Sequence, residues 1–329
     1  MKKTFCAIVA AAALAGCGGG DPGSPGDLSL MLDYFPNADH AGIYAAQGGG
    51  HFADAGLEVT IRQPSDPAAP IRQVAAGRVD LAISYEPEVR RARDEGLPVT
   101  SIAAIVGEPL TSLISLPEGG VETPADLEGK TVGTAGIDYQ SAFLEAILEA
   151  AEVDPVSVRE RNLGFNLVPG LLTEKADAVL GAFWNYEGTD LELRGRNPRV
   201  IRIEEAGVPS YDELVLVANS DRLEEDPEPL RKFVAALAEG TADLAADPEA
   251  AVEPLLEANP DLDPELQRAV VEKTLPLFLP PEGRPYGWQI PAEREAFADF
   301  MLKAGLLENE ADGASYTNDL LPEGGAADS

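Results

Sequence analysis

Past residue 27 the chain alternates short apolar runs with stretches of helical period. Residues 28–32, 57–61, 79–83 and 100–106 read as strands, and 40–47, 68–76 and 87–95 as helices between them. A second series follows the Pro/Gly-rich stretch 117–124. There 130–134, 157–161, 176–183 and 200–203 read as strands, and 138–151 and 167–174 as helices. The apolar runs 113–116 and 214–218 can carry the chain out of the first series and back. The last third is helical, at 229–246, 248–257, 264–275 and 292–303, with prolines near the starts where a missing N–H costs little. A repeated βα rhythm predicts mostly parallel sheets covered on both faces, and two such series joined by two crossings predict a two-lobed α/β clamshell. Its ligand should lie at the carboxyl ends of strands, in the cleft between lobes.

The N-terminus has a different pattern. Lys2 and Lys3 precede an apolar run that is too short to span a bilayer, and the run ends in Leu14-Ala15-Gly16-Cys17. This resembles the bacterial lipobox, in which the cysteine receives a diacylglyceryl group after cleavage. Residues 1–16 are therefore read as a signal peptide and 17–27 as a lipidated tether rich in glycine and proline. Residues 28–116 plus 217–309 are assigned to lobe 1, 117–216 to lobe 2 and 310–329 to a flexible tail. Cleavage would remove Cys6, leaving Cys17 as the lone cysteine and no internal disulfide. No later segment approaches 18 uninterrupted apolar residues. The expected product is exported and anchored by lipid, facing the periplasm or the cell exterior.

Charge changes the picture mainly by exclusion. With 57 acidic against 24 basic side chains in 329 residues, the formal net charge is −33. Such a surface argues against nucleic acid and anionic bilayers as partners. Only the acids that follow strands can inform ligand choice.

Four such segments stand out. Asp33-Tyr34-Phe35-Pro36-Asn37-Ala38-Asp39-His40 follows the first strand, with a turn at Pro36-Asn37 and Asp39 placed to cap the next helix. Ser84-Tyr85-Glu86-Pro87-Glu88 follows the third strand, where Glu86 suits a helix start and Tyr85 a ligand. Gly133-Thr134-Ala135-Gly136-Ile137-Asp138-Tyr139 could cradle an anion on backbone N–H groups, or simply be a turn closed by Asp138. Phe183-Trp184-Asn185-Tyr186-Glu187 holds one of the two tryptophans; on a helix, Trp184 and Glu187 would share a face. Tyr211-Asp212-Glu213 and Tyr286-Gly287-Trp288 are weaker additions. Across the four main segments aromatics and acids are plentiful and arginine and lysine are absent, so a sulfonate or phosphate would lack its usual partner. The pattern suits a planar, nitrogen-rich molecule that is neutral or weakly basic.

These residues also carry a resemblance. LDYFPNADHAGIYAA (32–46), DLAISYEPEV (80–89), LPVTSIAAIVGEPLTSL (97–113) and GAFWNYEG (181–188) are similar to the substrate-binding proteins of bacterial pyrimidine ABC importers. Their superfamily also holds sulfonate and riboflavin binders and the fungal pyrimidine synthase, and the resemblance spans roughly residues 28–306. It implies a type II periplasmic-binding-protein fold and capture of a thiamine pyrimidine precursor, formylaminopyrimidine or hydroxymethylpyrimidine, for an ABC permease and ATPase. Riboflavin, another flat heterocycle or a sulfonate is the alternative cargo. By the resemblance, Trp184 and one of Tyr34, Tyr85 or Tyr186 would stack on the pyrimidine, Glu187 would accept from its exocyclic amine and Asn37 would bond a ring nitrogen. His40, Glu86, Gly136, Tyr139 and Tyr211 complete the candidate set. The synthase needs a lysine, a histidine four residues later and a cysteine-rich segment. Ser84 and Glu88 stand at the matching positions, so no enzyme is expected. His40 and His51 form no ligand cluster, so neither metal nor cofactor is expected, and a monomer is.

Overall fold

The computed structural model describes residues 26–309 and 313–323. In chain order the strands are β1 (Asp27–Met31), β2 (Glu58–Arg62), β3 (Leu81–Ser84) and β4 (Val99–Val106). There follow β5 (Thr111–Ser115), β6 (Thr131–Thr134), β7 (Arg159–Asn162), β8 (Ala178–Phe183), β9 (Arg199–Arg202) and β10 (Leu214–Asn219). They form two five-stranded sheets of order β2-β1-β3-β10-β4 and β7-β6-β8-β5-β9. In each sheet one strand runs against the rest: β10 lies antiparallel between β3 and β4, and β5 between β8 and β9. Both of these strands follow a crossing between lobes, so the two halves share one plan. The expected clamshell is present.

Burial explains the strand sequences. β3, β4 and β5 are buried along their whole length, as coverage on both faces requires; β3 and β4 are largely apolar, while the hydroxyls of β5 (Thr-Ser-Leu-Ile-Ser) find hydrogen-bond acceptors. The edge strand β7 reads Arg-Glu-Arg-Asn and is exposed, which discourages pairing with another chain.

The lobe boundaries differ from expectation. Residues 111–115, expected in lobe 1, form β5 of the second sheet, and 214–216, expected in lobe 2, open β10 of the first. An apolar run reveals that a segment is buried, but not which of two sheets supplies its neighbours. The crossings lie at 107–110 and in the stretch before Leu214.

The first lobe carries α1 (Ala41–Gly48), α2 (His51–Asp54), α3 (Ala69–Ala75) and α4 (Glu86–Asp94). The second carries α5 (Asp138–Ala150), α6 (Leu167–Leu172) and α7 (Glu187–Leu193). After β10 come α8 (Ser220–Glu225), α9 (Glu228–Ala246), α10 (Pro248–Ala258), α11 (Pro264–Phe278) and α12 (Pro291–Lys303). Each of the last four has proline in its first turn, as expected. Helices α9 and α10 pack on α1, while α11 reaches across to α7 of the second lobe.

The C-terminal segment is a correction. Expected as a flexible tail, residues 313–323 instead lie along the first lobe. Tyr316 forms a bridge to Ser101, Thr317 N donates to Ser101 O at 2.9 Å, and Leu320 and Leu321 are buried. Two leucines in a small polar stretch are enough to seat it. The residues expected to form a signal peptide, a lipobox at Cys17 and nearly all of a tether lie outside the described residues. Among those described, no helix is long and apolar enough to cross a membrane.

Candidate functional site

The loop after β1 builds the first wall. Asn37 caps a short turn, Ala38–His40, its side chain accepting from Asp39 N at 2.7 Å. His40 Nδ1 accepts from Asn37 N, which leaves the ring proton on Nε2, where it donates to Asp33 Oδ1 at 2.8 Å. The hydroxyl of Tyr85, just before α4, donates to Asp33 Oδ2 at 2.9 Å. Asp33 is thus fixed from both sides by first-lobe donors.

Opposite this wall, the β6–α5 and β8–α7 loops complete a cavity of about 520 Å³, part of it open to solvent, at the carboxyl ends of the strands. Tyr34 and Tyr85 face Tyr139, Phe183 and Tyr186 across it. Gly181 has φ +94, and a Cβ there would come within 2.2 Å of Gln140 Nε2, so its bareness lets Gln140 reach the wall. At the rim the lobes touch: Tyr34 and Phe35 meet Phe165 at 5.0 and 4.7 Å between ring centroids. The Tyr34 hydroxyl donates to Phe165 O at 3.1 Å. Deeper in, Asn185 of the second lobe donates to Asp39 Oδ1 and to Thr274 Oγ1 of α11, each at 2.6 Å.

The electrostatics are acidic. Asp33, Asp39 and Glu187 line the cavity, and no lining residue is a lysine or arginine. Burial pushes the carboxyls of Asp39 and Glu187 up to about 7. A bond from Asn185 pulls Asp39 down in part, and bonds from backbone N–H groups, Phe183 N at 2.8 Å among them, do the same for Glu187. Burial likewise raises the phenols of Tyr34, Tyr85 and Tyr139, and that of Tyr186 to about 12. Flat aromatic walls with acceptors at the edge suit a planar ring bearing N–H donors.

Of the residues expected from sequence, Asp33, Tyr34, Asn37, Tyr85, Tyr139, Tyr186 and Glu187 line this cavity together. Five do not. His40 stands behind Asp33 and positions it. Glu86 accepts from Arg90 Nε at 2.8 Å and from Asp212 N at 3.0 Å, in a buried network with Arg294 behind the crossings. Gly136 makes a turn at φ +77 pressed against the Asn162 side chain. The anion cradle is closed as well, because Gln140 Oε1 accepts from both Ala135 N and Ile137 N; Gln140, not the exposed Asp138, closes the turn. Trp184 is not on the helix, which starts at Glu187. Its Nε1 donates to Pro109 O at 3.1 Å and its ring lies 4.1 Å from the Arg202 guanidinium, so it packs at the crossing. Tyr211 is buried against Phe297 and donates to Glu213 Oε2.

Glu213 ties the two crossings together. Its Oε2 accepts from Leu110 N and Thr111 N at 2.7 Å each, and its Oε1 from Thr111 Oγ1 at 3.0 Å. Burial still pushes its carboxyl up to about 7.

Sequence reasoning missed Asp39, Gln140 and Phe183 as lining residues and Phe165 as the rim contact. The cap expected of Asp39 is supplied by Asn37. Phe183 lay beside a tryptophan that drew the aromatic role. For Phe165, in a loop between charged β7 and short α6, no sequence signal was present.

The fold and the cavity define a two-lobed periplasmic-binding-protein architecture with an interlobe cavity. An alkanesulfonate-binding protein of Xanthomonas axonopodis pv. citri shares this fold at a TM-score of 0.67, with 16% identity over 88% of this chain and 96% of that one. In sequence, the chain is 37% identical over 260 residues to a formylaminopyrimidine-binding protein of Halalkalibacterium halodurans, 79% of each chain. It is 36% identical over 282 residues to a thiamine biosynthesis protein of Haemophilus influenzae, covering 85% of this chain and 88% of that relative. Residues 37–251 match the NMT1/THI5-like family model, and the chain belongs to that family.

Proposed function

We propose that this chain is the extracytoplasmic solute-binding lipoprotein of an ABC importer and that it captures an aminopyrimidine precursor of thiamine, formylaminopyrimidine or hydroxymethylpyrimidine. The observation that carries the reading is the lining of the interlobe cavity: aromatic faces with Asp33, Asp39 and Glu187, and no cation. Rings can stack on a pyrimidine while the carboxyls accept its N–H groups. A sulfonate would meet three acids and no guanidinium there. The relative from H. halodurans, named for binding formylaminopyrimidine, supports the same ligand.

Closure supplies the transport signal. The contacts of Phe165 with Tyr34 and Phe35, and of Asn185 with Asp39, exist only when the lobes meet. A ligand that adds contacts to both lobes shifts the population toward that arrangement, which a permease can distinguish from the open one. Binding without catalysis is supported by Ser84 and Glu88, which stand where the synthase resemblance calls for lysine and histidine. Ser84 Oγ donates to Glu88 Oε2 at 2.5 Å, and neither residue lines the cavity. The lipobox at Cys17 supports anchoring to a membrane.

Calorimetric titration with formylaminopyrimidine, hydroxymethylpyrimidine, riboflavin and taurine tests the ligand. A pyrimidine should bind and taurine should not; taurine binding with no pyrimidine response would refute the reading. Cys17→Ser should release the protein from membranes when expressed with its leader.

A further inference from the structure

Asp33 and Asp39 both line the cavity, but they are not equivalent. Asp33 spends both oxygens inside its own lobe, on His40 and Tyr85. Asp39 is 2% exposed; its Oδ1 takes the amide of Asn185 from the second lobe, and its Oδ2 has no hydrogen-bond partner. A buried carboxylate oxygen without a donor is costly and needs an explanation. The groups around it add to the cost. The Asn185 bond favours the charged form, while Asp33 before it and Glu187 from the second lobe oppose it; His40 lies next on the same turn, and Tyr186, whose own hydroxyl Asp39 disfavours as phenolate, also faces it from the second lobe. Two buried acids, one from each lobe and one of them with an unpartnered oxygen, therefore line a cavity that offers them no cation.

We propose that Asp39 is a specificity-determining contact: its open oxygen accepts an N–H of the bound ligand, opposite the acceptor supplied by Glu187, so that the site selects pyrimidines with an amino edge over those with an oxo group there. The inference rests on the solute-binding reading of this cavity. An exocyclic NH2 brings two hydrogens, one for each carboxylate, and a protonated ring adds positive charge between them. An oxo group at the same place sets lone pairs against a carboxylate and leaves Oδ2 unpaired. Because Oδ1 is already held by Asn185, the ligand bond forms on a group that joins the lobes, and the amino edge also favours closure.

The test is calorimetry of the whole protein with 4-amino-5-hydroxymethyl-2-methylpyrimidine and its 4-oxo counterpart. Wild type should prefer the amino compound at least roughly tenfold. Asp39→Asn keeps an oxygen for Asn185 and puts an NH2 where Oδ2 stands. It should weaken the amino compound by roughly tenfold or more and shrink or invert the preference. Equal wild-type affinity for the two compounds overturns the proposal, as does unchanged amino affinity in Asp39→Asn. Asp39→Ser, which cannot crowd the turn, should show the same loss and serves if the asparagine variant does not fold. Failure of wild type to bind either pyrimidine brings down the ligand reading itself, a different outcome from binding both alike.

Discussion

The cavity and the crossings behind it both bury carboxylates, and they treat them differently. At the crossings Glu213 receives four donors and Glu86 is shared between Arg90, Arg294 and the Asp212 backbone. In the cavity Asp39 has one oxygen without a partner, and Glu187 is held through Oε2 by the Phe183 backbone. Burial raises the carboxyls of Glu213, Asp39 and Glu187 alike, each to about 7, so the shift alone does not separate the regions. The count of satisfied oxygens separates Asp39 from Glu213, whereas Asp33, bonded through both oxygens to His40 and Tyr85, is a cavity acid held as fully as those at the crossings. An acid with every oxygen engaged fixes the fold; one left partly open is arranged for something that arrives later.

The largest break in that contrast should come from Glu213→Ala. It leaves the N–H groups of Leu110 and Thr111 buried without an acceptor, and should destabilise the fold by about 3 kcal/mol or more in urea unfolding. Glu187→Ala should cost less. It leaves one half-buried N–H, that of Phe183, without its acceptor but also removes a desolvated acid, so stability should change by no more than about 1 kcal/mol, while pyrimidine affinity falls by about 1.5–3 kcal/mol. If the two variants lose stability equally, the distinction between engaged and open acids fails.

The pH dependence sharpens it further. Asp39, Glu88, Glu187 and Glu213 have folded values of about 7 against ordinary values of 3.8 to 4.5. The native state therefore binds more protons than the unfolded chain. The stability these groups contribute is present in full below the ordinary range and is lost as pH rises through about 7. Asp94 and Asp126, held low by backbone N–H groups at the surface, act with the opposite sign in more acid solution. Ligand affinity should run the other way over the same window. Donating N–H groups need ionised acceptors, so each proton that must leave weakens binding roughly tenfold per pH unit below 7. Scanning calorimetry from pH 5 to 8 should show the apo melting temperature falling while the increment from added aminopyrimidine grows.

How far the sequence could be read follows the same line. Strands β1 to β4 and the four long C-terminal helices were legible because their apolar period and prolines are local signals. The sheet membership of β5 and β10 was not, because pairing partners are chosen across the whole chain. At the site, Asp33, Tyr85 and Glu187 were legible as polar or aromatic residues directly after strands. Glu86 met the same rule and proved structural, since its partner Arg294 lies more than two hundred residues away. The role of Asp39 was not legible locally because its determining neighbour, Asn185, is on the other lobe. Residue type and position after a strand identify candidates; only the partners decide which are free to bind.

The smaller effects concern the aromatic residues. Phe165→Ala removes two ring contacts that exist only with the lobes together, and should cost about 1 kcal/mol in ligand affinity through the closed population. Trp184 should matter least to the ligand, although composition made it the most conspicuous candidate. Its ring is held by Arg202 on one face and by Pro109 through Nε1, and neither partner lines the cavity. Trp184→Phe should therefore lower stability by about 1 kcal/mol, through the lost hydrogen bond and weakened cation–π contact, and change aminopyrimidine affinity by no more than about twofold. A tenfold loss of affinity at unchanged stability would mean that the indole leaves Arg202 to meet the ligand. The crossing would then be part of the site, and its engaged acids could no longer be set apart from those of the cavity.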